Sequence, residues 1–291
     1  MIDDGSTDST AEIILRYGHL ITSIFQSNRG VSAARNIGII NAKYNLIAFL
    51  DSDDYWTTEH LAKLSMKKRE YPDAALIYSG KYWVDEQGVL IQQMKTLEEY
   101  PEGWIFRNLL NFCAIQSTSV VLAERDVLLK YGGFNENSKF RNAQDLDLWL
   151  RISANEPIYA VKEATVFYRV HSESSTFNLE SRAKGHLAAL ENALFLIKFN
   201  KINCMNRISI RDGIEMVTKV YEEFIVTFFH ENRFHLVKKY SLIAFKKGFF
   251  TKRILLRLLI SFLPDTIISC IKRKYNIIIS GYALYSTDYK M

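Results

Sequence analysis

"IAFLDSDDYW", residues 47–56, closes the short apolar run that starts at Asn45 and drives it straight into Asp51, Asp53 and Asp54. A run this short and this apolar predicts a strand of a parallel sheet, covered on both faces. In open α/β sheets ligands gather beyond the carboxyl ends of the strands, which is where these acids fall. Carboxylates packed so closely repel one another unless a cation lies between them. Hard divalent ions such as Mg²⁺ and Mn²⁺ take oxygen ligands and bridge carboxylates to a substrate's phosphates. On the residues alone a second reading stays open, a solvated loop whose acids cap the helix that follows. A second acidic pair, Asp3-Asp4, also reads as the end of a strand.

Outward from this stretch, strands and helices alternate at short intervals. Ser9 and Glu12 have capping-box spacing ahead of a helix stopped near Gly18. Residues 20–27 read as a strand, 28–43 as a turn at Gly30 and a helix, 58–71 as a helix stopped by Pro72, and 74–80 as a strand. The alternation predicts an α/β layered sheet. From about residue 184 turn signals become sparse and helical spacing takes over, so a helical annex is expected over 184–291, after a first domain over 1–183.

The chain has 291 residues, 48% of them hydrophobic, enough for one large domain and an annex. Cys113, Cys204 and Cys270 are odd in number and widely spaced, which fits a reducing compartment rather than a disulfide framework. The first residues, "MIDDGSTDST", have neither the basic nor the apolar region of a signal peptide. The net charge of +5 hides an asymmetry: residues 1–183 hold 19 Lys and Arg against 24 Asp and Glu, and residues 184–291 hold 18 against 8. The basic half suits a phosphate-bearing surface. No nucleic-acid-binding module accompanies the charge, so nucleic acid is not an expected partner.

Six stretches in order, "IDDGSTDST", "NRGVSAARNIG", "IAFLDSDDYW", "GGFNE", "AQDLDLWLR" and "YRVHSESST", give the chain a resemblance to the family 2 glycosyltransferases with a GT-A type fold, over residues 1 to about 178. The resemblance implies inverting transfer of a sugar from a nucleotide-diphosphate donor to a hydroxyl, with Mn²⁺ or Mg²⁺ as cofactor. By position it implies that Asp3 and Asp4 contact the base and ribose, and that Arg35 lies near the base or phosphates. Asn28 counts with the donor-binding residues and, with Gly30, shapes the turn before a helix. Asp51 and Asp53 match the metal motif, with Asp53 the direct ligand and Asp51 also facing the donor. Asp145 matches the general base, preceded by Gln144 where the family usually has Glu. The reason for a base is chemical: a sugar hydroxyl is a poor nucleophile at neutral pH, and a carboxylate within hydrogen-bond reach takes its proton in the transition state. Asp147 is expected to supply only helix N-terminal charge. His171 is placed near the diphosphate and metal, and the "GGF" turn (132–134) on the acceptor side.

Against the family pattern, the first strand and helix are absent and Met1-Ile2 reads as the stub of the second strand. The expectation is therefore a GT-A type sheet shortened at its N-terminus, with a helical annex.

In that annex Ile254–Leu263 is apolar except for Arg257 and Ser261, and Pro264 interrupts it. This is too short to span a bilayer. With basic residues on either side, Lys272, Arg273 and Lys274 among them, it suits a helix lying on an anionic membrane. The functional expectation is a cytoplasmic glycosyltransferase, peripheral on the inner face of the cell membrane, acting on a glycan or lipid-linked acceptor in bacterial surface polysaccharide synthesis. The alternative is a non-catalytic remnant that binds nucleotide or a partner at the membrane.

Overall fold

The strand that Leu76–Val84 forms is the axis of the molecule's main sheet, because its nine residues are almost all buried and only a central strand is covered along its length. The computed structural model describes residues 1–92, 100–111, 113–171, 178–203 and 208–274. In chain order its elements are β1 (Ile2–Asp3), α1 (Thr10–Arg16), β2 (Ile24–Phe25), α2 (Val31–Asn41), β3 (Leu46–Ala48), β4 (Tyr55–Trp56), α3 (His60–Glu70), β5 (Leu76–Val84), β6 (Leu90–Gln92), α4 (Phe106–Asn111), β7 (Val121–Glu124), α5 (Arg125–Lys130), α6 (Gln144–Ser153), β8 (Ile158–Arg169), α7 (Leu179–Lys198), α8 (Ile210–His230), α9 (Phe234–Lys246), α10 (Lys252–Ile260) and α11 (Asp265–Lys274).

The main sheet has the order β3-β7-β5-β8-β4, with β6 on β5. Only β5 and β8 run parallel within it. Their register slips on both sides of Gly80, and such bulges re-aim the residues beyond them. β1 and β2 form a separate parallel pair. The mixed α/β architecture is the expected class. The setting of β3 is not: it pairs antiparallel with β7 and its first residue, Leu46, is exposed. The described sheet ends at β3, so one of its edges has a partner and its faces are incompletely covered, although its composition suits a central strand.

Local signals fare unevenly. Helix α3 ends two residues before Pro72, and Lys68 Nζ donates to the carbonyls of Pro72 and Ala74. The capping box at Ser9 does not form: Ser9 takes φ −74° and ψ 4°, outside the extended range from which a cap side chain reaches back, and Asp8 accepts from Thr10 N instead. One core cluster joins Leu64 of α3 to Ala74, Ile77 and Leu122, with Tyr71 stacked on Tyr159 at its edge.

The chain divides into two compact units, Met1–Leu109 with Cys113–Arg207, and Leu110–Phe112 with Ile208–Met291. Helix α7, which the sequence reading puts in the annex, lies in the first unit. A Cβ on its Gly185 would sit 2.2 Å from Arg141 O, so glycine is what lets this helix approach so closely. In the second unit α8 buries Val217, Tyr221, Phe224 and Phe228 at helical spacing, and Phe228 meets Tyr240 of α9 with ring centroids 5.1 Å apart. Among the described residues no helix is long and apolar enough to cross a membrane. Cys113 is a free thiol; Cys204 and the side chains of Cys270, Lys272, Arg273 and Lys274 lie outside the described residues.

Candidate active site

The loop after β3 holds its three acids in three different settings. Asp51 is engaged on both oxygens: Arg35 Nη2 approaches Oδ1 at 2.6 Å and Thr118 Oγ1 donates to Oδ2 at 3.0 Å. Its backbone N–H donates to Ser119 Oγ, and Trp56 Nε1 donates to Ser119 O, which fixes the 118–119 turn beneath the loop. Asp53 is the most open of the three, and its Oδ2 lies 3.3 Å from His171 Nε2. Asp54 is buried, with Oδ1 accepting from Arg169 N and Oδ2 lacking a hydrogen-bond partner. Burial first, and the charges of Asp53 and Asp51 after it, push its carboxyl up to about 6 against hydrogen bonds from Ser119 and Arg169. Arg169 also donates to the carbonyls of Asp53 and Glu86, so the end of β8 is fastened to the acidic loop and delivers His171 to Asp53.

Asp145 stands in the first turn of α6. Burial raises its pKa, the Arg35 guanidinium opposes that rise, and Asp51 adds to it. Asp145, Arg35 and Asp51 therefore feel one another's charge, although they arrive from α6, α2 and the loop after β3. Asp147, two residues on, is not a solvated helix-end charge. It is 1% exposed. Arg151 binds one of its oxygens and Asn192 of α7 the other, and Arg151 continues to the carbonyls of Tyr131 and Gly133. Asp147 is thus buried and engaged on both oxygens inside the fold.

The "GGF" turn braces this site. Asn36 of α2 exchanges two hydrogen bonds of 2.8 Å with the backbone of Phe134. The Phe134 ring lies edge-on to Phe49 and Trp149, and the Arg35 guanidinium sits 5.3 Å above it. Phe134 is thus a floor for Arg35 rather than only packing.

Asp3, Asp4 and Asn28 form a second group at the ends of β1 and β2. Asp3 is buried and accepts from Ser6 N. Asp4 accepts from Gln26 Nε2, Arg29 N and Gly30 N. Burial works against its charge, but these bonds outweigh it and hold the carboxyl below its usual value. Asn28 is exposed, with its backbone against Gly5. In this state Asp4 organises the 26–30 turn.

Among the described residues no group of three or more His, Cys, Asp or Glu side chains converges to hold a metal ion. The donors that do lie together, a carboxylate oxygen of Asp53 and an imidazole nitrogen of His171, would supply two ligands to a divalent ion completed by other oxygens. Asp51 is committed to Arg35 and Thr118. Sequence reasoning missed Thr118, Ser119 and the role of Arg169, which carry no local signal. It also missed Lys81, buried on β5 with its Nζ 3.7 Å from the Tyr168 ring centroid.

The family model described as "Glycosyltransferase like family 2" matches residues 1–198. The chain belongs to that family. An uncharacterized glycosyltransferase of Rickettsia felis is 28% identical over 179 residues, 61% of this chain and 29% of its own. The UDP-Glc:alpha-D-GlcNAc-diphosphoundecaprenol beta-1,3-glucosyltransferase WfaP of Escherichia coli is 29% identical over 179 residues, 60% of this chain and 66% of its own. TarS of S. aureus superposes with a TM-score of 0.53 at 18% identity, over 76% of this chain and 36% of TarS, which establishes a shared fold. The chain thus spans less than a third of the length of the Rickettsia felis relative, and this family 2 glycosyltransferase chain carries the six motif stretches on the matched portion.

Proposed function

We propose that the protein transfers a sugar from a nucleotide-diphosphate donor to a hydroxyl acceptor, with inversion, in the assembly of a bacterial surface polysaccharide. The observation that carries this reading is the Arg35–Asp51 ion pair, whose charges act on the partly shielded carboxylate of Asp145 at the start of α6. In the proposed step Asp145 accepts the acceptor's hydroxyl proton as that oxygen bonds to the anomeric carbon. The bond from that carbon to the donor's diphosphate oxygen breaks on the opposite face. Arg35 offsets negative charge near the donor, and burial lifts the basicity of Asp145 toward neutral pH. Asp53 and His171 would hold Mn²⁺ or Mg²⁺, which supplies electrostatic stabilisation of the leaving diphosphate. The named activity of WfaP supports a sugar-lipid diphosphate as acceptor. The charge of residues 184–291 supports action at an anionic membrane, on the cytoplasmic inner face.

The test is a transfer assay paired with calorimetry. Asp145→Asn is expected to lower kcat by ~10²–10⁴-fold while donor affinity stays near that of the unaltered protein, because a general base acts only in the transition state. Retained turnover would remove Asp145 from the role. For the metal, donor binding is expected to collapse with EDTA and in Asp53→Ala; undiminished heat of binding in both would overturn that assignment.

A further inference from the structure

Residues 232–264 contain eight Lys and Arg and no Asp or Glu. Lys239, Lys246, Lys247, Lys252 and Arg253 of this stretch are exposed. Arg253 also faces Glu222 of α8 at 3.6 Å. Set among these charges are large apolar side chains that the fold leaves uncovered. Helix α10 buries Ile254 and turns Leu256 and Leu259 outward, at 57% and 58% exposure. Phe262, in the turn that follows, is 64% exposed, and Leu263 is exposed beside it. Leu256 and Leu259 are three residues apart and share one side of α10, and Leu263 lies in the turn beyond its end. Lys238 of α9 reaches across with its Nζ 4.5 Å from the Phe262 ring centroid.

Single exposed apolar residues are ordinary, but a contiguous set of this kind marks a docking surface. The charge around it selects the occupant. A second copy of the same face would bring like charges together, which opposes pairing. An anionic bilayer satisfies both features at once: lipid phosphates meet the lysines and arginine, and the acyl boundary receives the leucines and phenylalanine.

We propose that the α10 corner, Leu256, Leu259, Phe262 and Leu263, inserts into the headgroup boundary of an anionic membrane, with Lys238, Lys246, Lys247, Lys252 and Arg253 on the lipid phosphates. This rests on the membrane-surface reading above and adds the surface that engages. It makes apolar insertion, as well as charge, a requirement for binding.

Flotation of the full chain with vesicles tests it. Binding is expected on phosphatidylcholine–phosphatidylglycerol vesicles and not on phosphatidylcholine alone. Leu259→Asp/Phe262→Asp is expected to cut the bound fraction roughly tenfold or more, with an unchanged unfolding midpoint because both positions are exposed. A polarity-sensitive dye on Leu259→Cys is expected to shift to the blue on the anionic vesicles. Equal binding by the double variant, or an unshifted dye, overturns the insertion surface and leaves the membrane reading standing. No binding of the unaltered chain to anionic vesicles overturns both. Equal binding to both vesicle types overturns the part given to charge. Self-association lost in the double variant, without vesicle binding, assigns the face to a second copy and overturns the proposal.

Discussion

At Gly133 the backbone takes φ +65°, and a Cβ there would stand 2.5 Å from Asn36 Oδ1. Both conditions exclude any other residue without a shift. Asn36 cannot yield cheaply, because the same amide exchanges two hydrogen bonds with Phe134 and Phe134 carries Arg35 above its ring. Gly133→Ala is therefore expected to lose ~1–3 kcal/mol of stability from strain and the disturbed clamp. Urea unfolding measures this, and a midpoint equal to that of the unaltered protein would show that the turn relaxes freely. Asn36→Ala should cost a similar amount. In Gly133→Ala/Asn36→Ala the two losses should fall short of adding, since both act on one contact.

Helices α6 and α7 are joined through Asp147, which lies in α6 and takes hydrogen bonds from Arg151 and, across the interface, from Asn192. Removing a buried carboxylate leaves a cation and an amide without their partner, and breaking such a pair costs more than the pair itself contributes. Arg151 keeps some exposure and two backbone acceptors, so Asp147→Ala is expected near the low end, a loss of ~3 kcal/mol. Donor affinity measured by calorimetry at a temperature where the variant stays folded should be retained. A lost donor site in a folded Asp147→Ala protein would instead place Asp147 in the binding machinery. The neighbouring acids Asp145 and Asp147 thus divide between the proposed general base and the residue that holds its helix to α7.

Across the whole molecule the acidic site residues lie in the first compact unit and the exposed basic residues of α9 and α10 in the second. Lys246→Glu/Lys247→Glu/Lys252→Glu should weaken sedimentation with anionic vesicles and flatten its salt dependence, because fewer attractive charges remain for salt to screen, while donor affinity is retained. Donor binding that falls in step with vesicle binding would mean that these lysines serve the site.

Some elements and a candidate site were legible in the sequence. Acids at strand ends located β1 and β3, Pro72 stopped α3, and the six ordered motifs pointed to Asp3, Asp4, Asn28, Arg35, Asp51, Asp53, Asp145 and His171 as candidate site residues. These signals are local, written within a few residues of chain, and are legible for that reason. Partnership is not local and is fixed only when the elements pack. Composition could not say that β3 would pair antiparallel with β7, that Ser9 would miss its capping geometry, or that α7 would press Gly185 onto Arg141 O inside the first unit. Motif position told Asp145 from Asp147 but read Asp147 as a helix-end charge, whereas it is buried. What separates them is that Arg151 and Asn192 occupy both oxygens of Asp147, and a hydrogen bond from α7 can be assigned only once the helices have packed.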